Sequence, residues 1–139
     1  MATVSTRDSA LARLRPTVET ADGALPAEAF QNDVLRPILK LQHPLLLAAW
    51  HRYAERQKGR FYKLNRPEQE DYLRHALKTN RELRSFYLGL VSGVMTEEEW
   101  GAFRQNEKEL SRRTMDMVVE RLRTGDDTYG VRATPTTEG

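Results

Sequence analysis

From Ala27 to Leu122 the apolar residues recur every three or four positions, and no stretch alternates long enough with polar residues to make a convincing strand. That period restricts the chain to helices whose apolar stripes bury one another. At 139 residues there is room for one core and little for a second domain. The sequence therefore predicts an all-α fold: a small four-helix bundle over residues 26–124, with a kinked first helix and a long C-terminal helix. Residues 1–25 mix Thr, Ser, Ala, Asp and Gly with Pro16 and sustain no period, so a disordered N-terminal arm is expected. Residues 125–139, with their Gly, Pro and Thr bias, are expected to be a disordered tail.

Local signals place the helix ends. Pro26 is suited to open the first helix, which follows Phe30, Val34, Leu35, Ile38 and Leu39 onward to about Gln57. Pro37 and Pro44 each remove a backbone donor, so the spacing predicts a kink, or two helices meeting near Gln42-His43-Pro44. Asn65 with Glu68 forms a capping pair for the second helix. The third begins at Thr79 or Asn80, with Glu82 as the reciprocal cap, and is expected to bury Leu83, Phe86, Tyr87, Leu90 and Val91. Phe86→Ala is accordingly expected to be severely destabilising. Thr96 and Glu99 cap a fourth helix predicted to run unbroken to Arg123, roughly 40 Å at about 1.5 Å per residue.

Composition excludes several chemistries. Without cysteine there is no disulfide, thiolate nucleophile or Cys-type zinc site, which is compatible with a cytoplasmic protein. The N-terminus lacks the apolar core of a signal peptide, and the longest apolar run, from Pro44 to Trp50, is far short of the ~20 residues that span a bilayer. No membrane partner is expected. Balanced charge, 22 basic against 20 acidic residues, gives no overall electrostatic footprint for nucleic acid.

Five constellations remain. His51 and Glu55, and Asp71 and His75, each stand four apart, but Arg52 and Arg74 beside them favour surface ion pairs over ligation, and no metal or cofactor is expected. Gln42 and His43 at the expected bend could meet a ligand through carbonyls that the prolines leave unpaired. The segment from His51 to Arg66 carries Arg56, Lys58, Arg60 and Lys63 interleaved with Tyr53, Phe61 and Tyr62. Such a pattern suits either single-stranded nucleic acid or, the favoured reading, a solvated basic face whose rings plug the core. Ser85, Gly89, Ser92 and Gly93 form a small-residue stripe that suggests close helix packing. Finally, Phe103, Leu110 and Met117 are seven apart with Glu107 and Thr114 between them, a seam suited to antiparallel pairing of two copies.

The segments FQNDVLRPILKLQHPLLLAAW, LGLVSGVMTEEEW and NEKELSRRTMDMVVERL resemble a family of small, uncharacterised, all-helical bacterial proteins, some of which carry the label "glyoxalase". The resemblance covers about residues 30–122 and implies an all-helical fold. Through the label it implies a small-molecule binder or lyase, and it carries no catalytic residues onto this chain. The leading expectation is a non-enzymatic interaction domain, homodimeric through the fourth helix, with an unidentified protein partner. Its rival is an enzyme or binder using His43 with Gln42, and His51 or Tyr53 one to two turns later.

Overall fold

The computed structural model describes residues 5–15 and 26–130, and among them every regular element is helical, with no strand. Pro26 opens α2 (Pro26–Phe30), where its missing N–H is no loss. Winding continues through a π-helical stretch, Gln31–Leu35, into α3 (Arg36–Arg56). Within that stretch the Arg36 N–H donates to the Gln31 carbonyl, five residues back. The wider turn sits just ahead of Pro37, where the α-helical ladder loses a donor. The irregularity expected at Gln42-His43-Pro44 thus lies a few turns earlier, and α3 passes through Pro44 as continuous α-helix. Pro44 and Lys40 are both exposed, so the carbonyl that Pro44 deprives of a partner is on the solvent side.

Beyond α3, Lys58 and Gly59 adopt φ of 64° and 66° and reverse the chain, with the Gly59 N–H reaching Ala54 O at 3.0 Å. A short 3-10 turn (Arg60–Lys63) then drives Phe61 into the core. Helix α4 (Arg66–Thr79) has the capping box its sequence predicts: Asn65 Oδ1 accepts from Glu68 N at 3.0 Å, and Glu68 Oε1 accepts from Asn65 N at 3.2 Å. Asn80 caps α5 (Arg81–Ser92) through Leu83 N, and the reciprocal bond expected of Glu82 is not made because Leu83 holds the third helical position. Thr96 and Glu99 form the second complete capping box, opening α6 (Glu97–Gln105).

The long fourth helix is in fact two. Asn106 leaves the helical region at φ −138° and ψ 46°, and α7 (Glu107–Thr124) starts after it. The break redirects α6 so that Phe103 meets Phe30 of α2, ring centroids 6.2 Å apart. A straight helix would carry Phe103 roughly 10 Å along the axis from Leu110.

Helices α3, α4, α5 and α7 contact one another around a core of Leu39, Leu46, Trp50, Leu73, Leu77, Tyr87, Val91, Val118 and Leu122. Trp50 lies at its centre, edge-on to Phe61 at 5.1 Å and to Tyr72 at 6.1 Å. Phe86, expected in this core, is 50% exposed. Helix α5 instead buries Leu83, Tyr87 and Val91, because the Tyr87 hydroxyl donates to Leu46 O at 2.8 Å and ties α5 to α3. Burial holds that phenol well above its ordinary pKa.

Helical structure lies within both ends expected to be disordered. Helix α1 (Thr6–Leu14) is capped by Ser5, whose Oγ accepts from Asp8 N at 3.0 Å. It is held on α6: Arg15 makes two bonds of 2.8 Å to Glu99, Arg7 donates to Gly93 O and Met95 O, and Asp8 accepts from Glu97 N. After α7, a 3-10 turn (Asp126–Thr128) buries Thr128 and leads to Tyr129, which stacks on Phe61 at 5.9 Å. The remaining parts of the arm and tail lie outside the described residues. Among those described, no helix is long and apolar enough to cross a membrane.

Candidate functional site

The chemistry-bearing residues of α3 are distributed to four different places. Gln42 Nε2 donates to Leu90 O at 2.8 Å, a bond that ties α3 to α5. His51 is 2% exposed and both of its nitrogens are taken. Its Nε2 lies 2.9 Å from Asp127 O, and a carbonyl only accepts, so the proton resides on Nε2. Nδ1 then accepts from the Tyr62 hydroxyl at 2.6 Å. Burial, and secondarily the charge of Glu55, raise the Tyr62 pKa and keep it a donor. His51 therefore clamps the C-terminal turn onto α3 and the Arg60–Lys63 turn. Its expected pairing with Glu55 is absent among the described residues, where no group of three or more His, Asp or Glu is placed to hold a metal.

The basic segment divides in the same way. Arg56, Lys58, Arg60 and Lys63 are all exposed, whereas Phe61 is fully buried and Tyr62 is committed to His51. Stacking on bases needs rings beside those cations; Phe61 and Tyr62 are engaged inside the fold, and of the three rings Tyr53 lines a surface groove, beside Arg52 and Arg56.

Two concave surfaces flank α3. The first is a groove of about 230 Å³ between the second half of α3 and the start of α5, lined by Arg52, Tyr53, Arg56, Glu82, Leu83 and Phe86. Among the described residues, neither Arg52 nor Arg56 has a carboxylate within salt-bridge distance. Ala49 also lines the groove, and Leu45, one turn earlier on α3, is 52% exposed. Gly89, one turn beyond Phe86, has nothing within 4 Å of where a Cβ would stand. The small-residue stripe therefore makes no close helix packing at Gly89 and forms open surface: Ser85, Gly89 and Gly93 are exposed.

The second surface is an open cleft of about 750 Å³ between the first half of α3 and the end of α7. His43 lines it together with Arg36 and Arg121. His43 Nδ1 is buried without a hydrogen-bond partner. Burial, then the charge of Arg121, lower the His43 pKa, with Asp127 acting weakly in the opposite direction. The rival set of His43, Gln42, His51 and Tyr53 does not converge, since these residues serve the cleft, α5, the C-terminal turn and the groove respectively.

The seam of the expected dimer is turned into the chain's own core. Phe103 is 5% exposed and Leu110 3%, while Met117 is half-buried beside the cleft. Thr114, read as a polar element of an interface, is fully buried and donates to Leu110 O at 2.7 Å. Arg36 and Arg121, which line the cleft, are not among the candidate residues that the sequence suggests. The chain matches no family model, no curated protein and no solved structure.

Proposed function

We propose that the chain is a non-enzymatic, cytoplasmic helical interaction domain, a small four-helix bundle of α3, α4, α5 and α7 that pairs with a second copy through the exposed face of α5. The observation that carries this reading is Phe86, 50% exposed beside the open Gly89. A glycine within a helix costs about 1 kcal/mol relative to alanine, and among the described residues no group makes use of the space at Gly89. Close approach by a second helix accounts for it. Ser85, Phe86 and Gly89 carry no charge, so the centre of a two-fold contact of α5 on α5 is uncharged, with Glu82, Arg52 and Arg56 at its margin. Leu45 and Ala49 extend the apolar area on α3.

The absence of cysteine gives a direct test. A Gly89→Cys or Ser85→Cys variant carries a single thiol on the proposed contact, and mild oxidation should convert it to a covalent dimer. Lys108→Cys, exposed on α7, is the control and should remain a monomer on the same gel. Equal cross-linking at all three positions, or none at the two α5 positions, overturns the reading.

A further inference from the structure

The cleft between α3 and α7 holds an arrangement that is unfavourable as it stands. Arg36 and Arg121 both line it, and neither has a carboxylate partner among the described residues. Arg36 reaches only Asn32 Oδ1, at 3.5 Å. Of the nearby acids, Glu120 on the cleft wall accepts from Arg123 Nε at 3.0 Å, Glu109 accepts from Arg112 and Arg113, and Asp127, which acts on His43 through its charge, forms no salt bridge with either arginine. Two guanidiniums facing one partly buried space repel each other. Their effect is visible at Arg121, whose pKa is lowered by burial and then by the charge of Arg36.

His43 supplies a third donor. An orphaned buried N–H is less tolerable than an orphaned lone pair, so the inaccessible Nδ1 is the unprotonated nitrogen. The proton then resides on Nε2, which has no protein partner among the described residues, on a ring that borders the cleft. The half-buried Met117 gives the cleft its apolar side.

We infer that this cleft binds a small organic oxyanion, a carboxylate or a phosphate monoester, held by Arg36 and Arg121 with His43 Nε2–H as a third donor and its apolar body against Met117. Guanidinium groups recognise both kinds of head by charge-assisted hydrogen bonds. The carboxylate of Glu120 on the wall favours a ligand with one anionic head over a polyanion. This inference is independent of pairing through α5, which uses other residues of α3.

The test is a titration of the full, ¹⁵N-labelled chain with sodium butyrate and, separately, sodium phenyl phosphate, each against sodium chloride at equal ionic strength. Melting temperature and the histidine ring ¹H–¹⁵N correlations are read together. At least one anion should raise the melting temperature saturably and move the His43 ring signals, and the more effective one identifies the head group. Arg36→Gln, at an exposed position where folding is retained, and Arg121→Gln should each weaken the apparent affinity at least tenfold. Arg104→Gln, on the exposed side of α6, should leave it unchanged. No saturable response to either anion, or equal responses in the parent and both cleft variants, overturns the inference.

Discussion

Replacing Tyr62 with Phe removes one oxygen atom and tests the clamp that closes the C-terminal end of the fold. The ring remains able to stack on His51, where the centroids now lie 5.8 Å apart at 10°. What is lost is the hydroxyl that donates to His51 Nδ1 at 2.6 Å. His51 cannot turn to another partner, because Nε2 is held by Asp127 O at 2.9 Å and the residue is 2% exposed. A buried polar group left unsatisfied costs about 1–3 kcal/mol, and since the orphan here is a lone pair, about 1–2 kcal/mol is expected. With a urea m-value of about 2 kcal/mol/M for a chain of this size, the unfolding midpoint should fall by roughly 0.5–1 M at unchanged m. Repeating the substitution in a His51→Leu background completes a double-mutant cycle. There the hydroxyl has no imidazole to serve, and Tyr62→Phe should have little effect. An equal loss in both backgrounds, or no loss in either, refutes the clamp.

Further outcomes follow from exposure, charge and titration. In dilute protein, Phe86→Ala should lower the unfolding free energy by less than about 1 kcal/mol, because the ring is already half in water; chemical denaturation measures this, and a loss above about 3 kcal/mol would place the ring in the core after all. Arg15→Ala should release α1 from Glu99 and raise amide hydrogen exchange across Thr6–Leu14 while leaving α3 and α4 protected. Unchanged exchange in α1 would show that its other contacts suffice. His43 is held below its ordinary value of 6.5 by burial and Arg121, so the unfolded chain binds the proton more readily than the folded one. Stability from this residue is thus full above about pH 6.5 and falls as pH drops below it. A His43→Gln variant should show a shallower decline between about pH 7 and 5, above the range where ordinary carboxylates titrate. Parallel curves would contradict the assignment.

The capping pairs at Asn65–Glu68 and Thr96–Glu99 were legible because each is completed within four residues of chain. The choice between Phe86 and Tyr87 was not. Both suit a helical stripe, and the decision rests on the Leu46 carbonyl, 41 positions away. The same distance effect hid α1: a Ser5-x-x-Asp8 start was present, but its anchors on Gly93, Met95 and Glu99 lie 84 to 88 positions further on. His51 read as a surface partner of Glu55 because its true partners include a backbone carbonyl, which no side-chain pattern reveals. The break at Asn106 follows from where Phe103 must go, toward Phe30, more than from any strong helix breaker. At the cleft, His43 stood out in sequence, whereas Arg36 and Arg121 are brought beside it only by the packing of α7 on α3.

Sedimentation equilibrium of the parent beside Phe86→Asp, at micromolar concentration, tests the proposed pairing most directly. The parent should sediment at twice the mass of one chain, and Phe86→Asp at the mass of a single chain with an unchanged circular dichroism spectrum, while Met117→Lys should remain a dimer. A monomeric parent, or a dimer untouched by Phe86→Asp, would contradict pairing through α5.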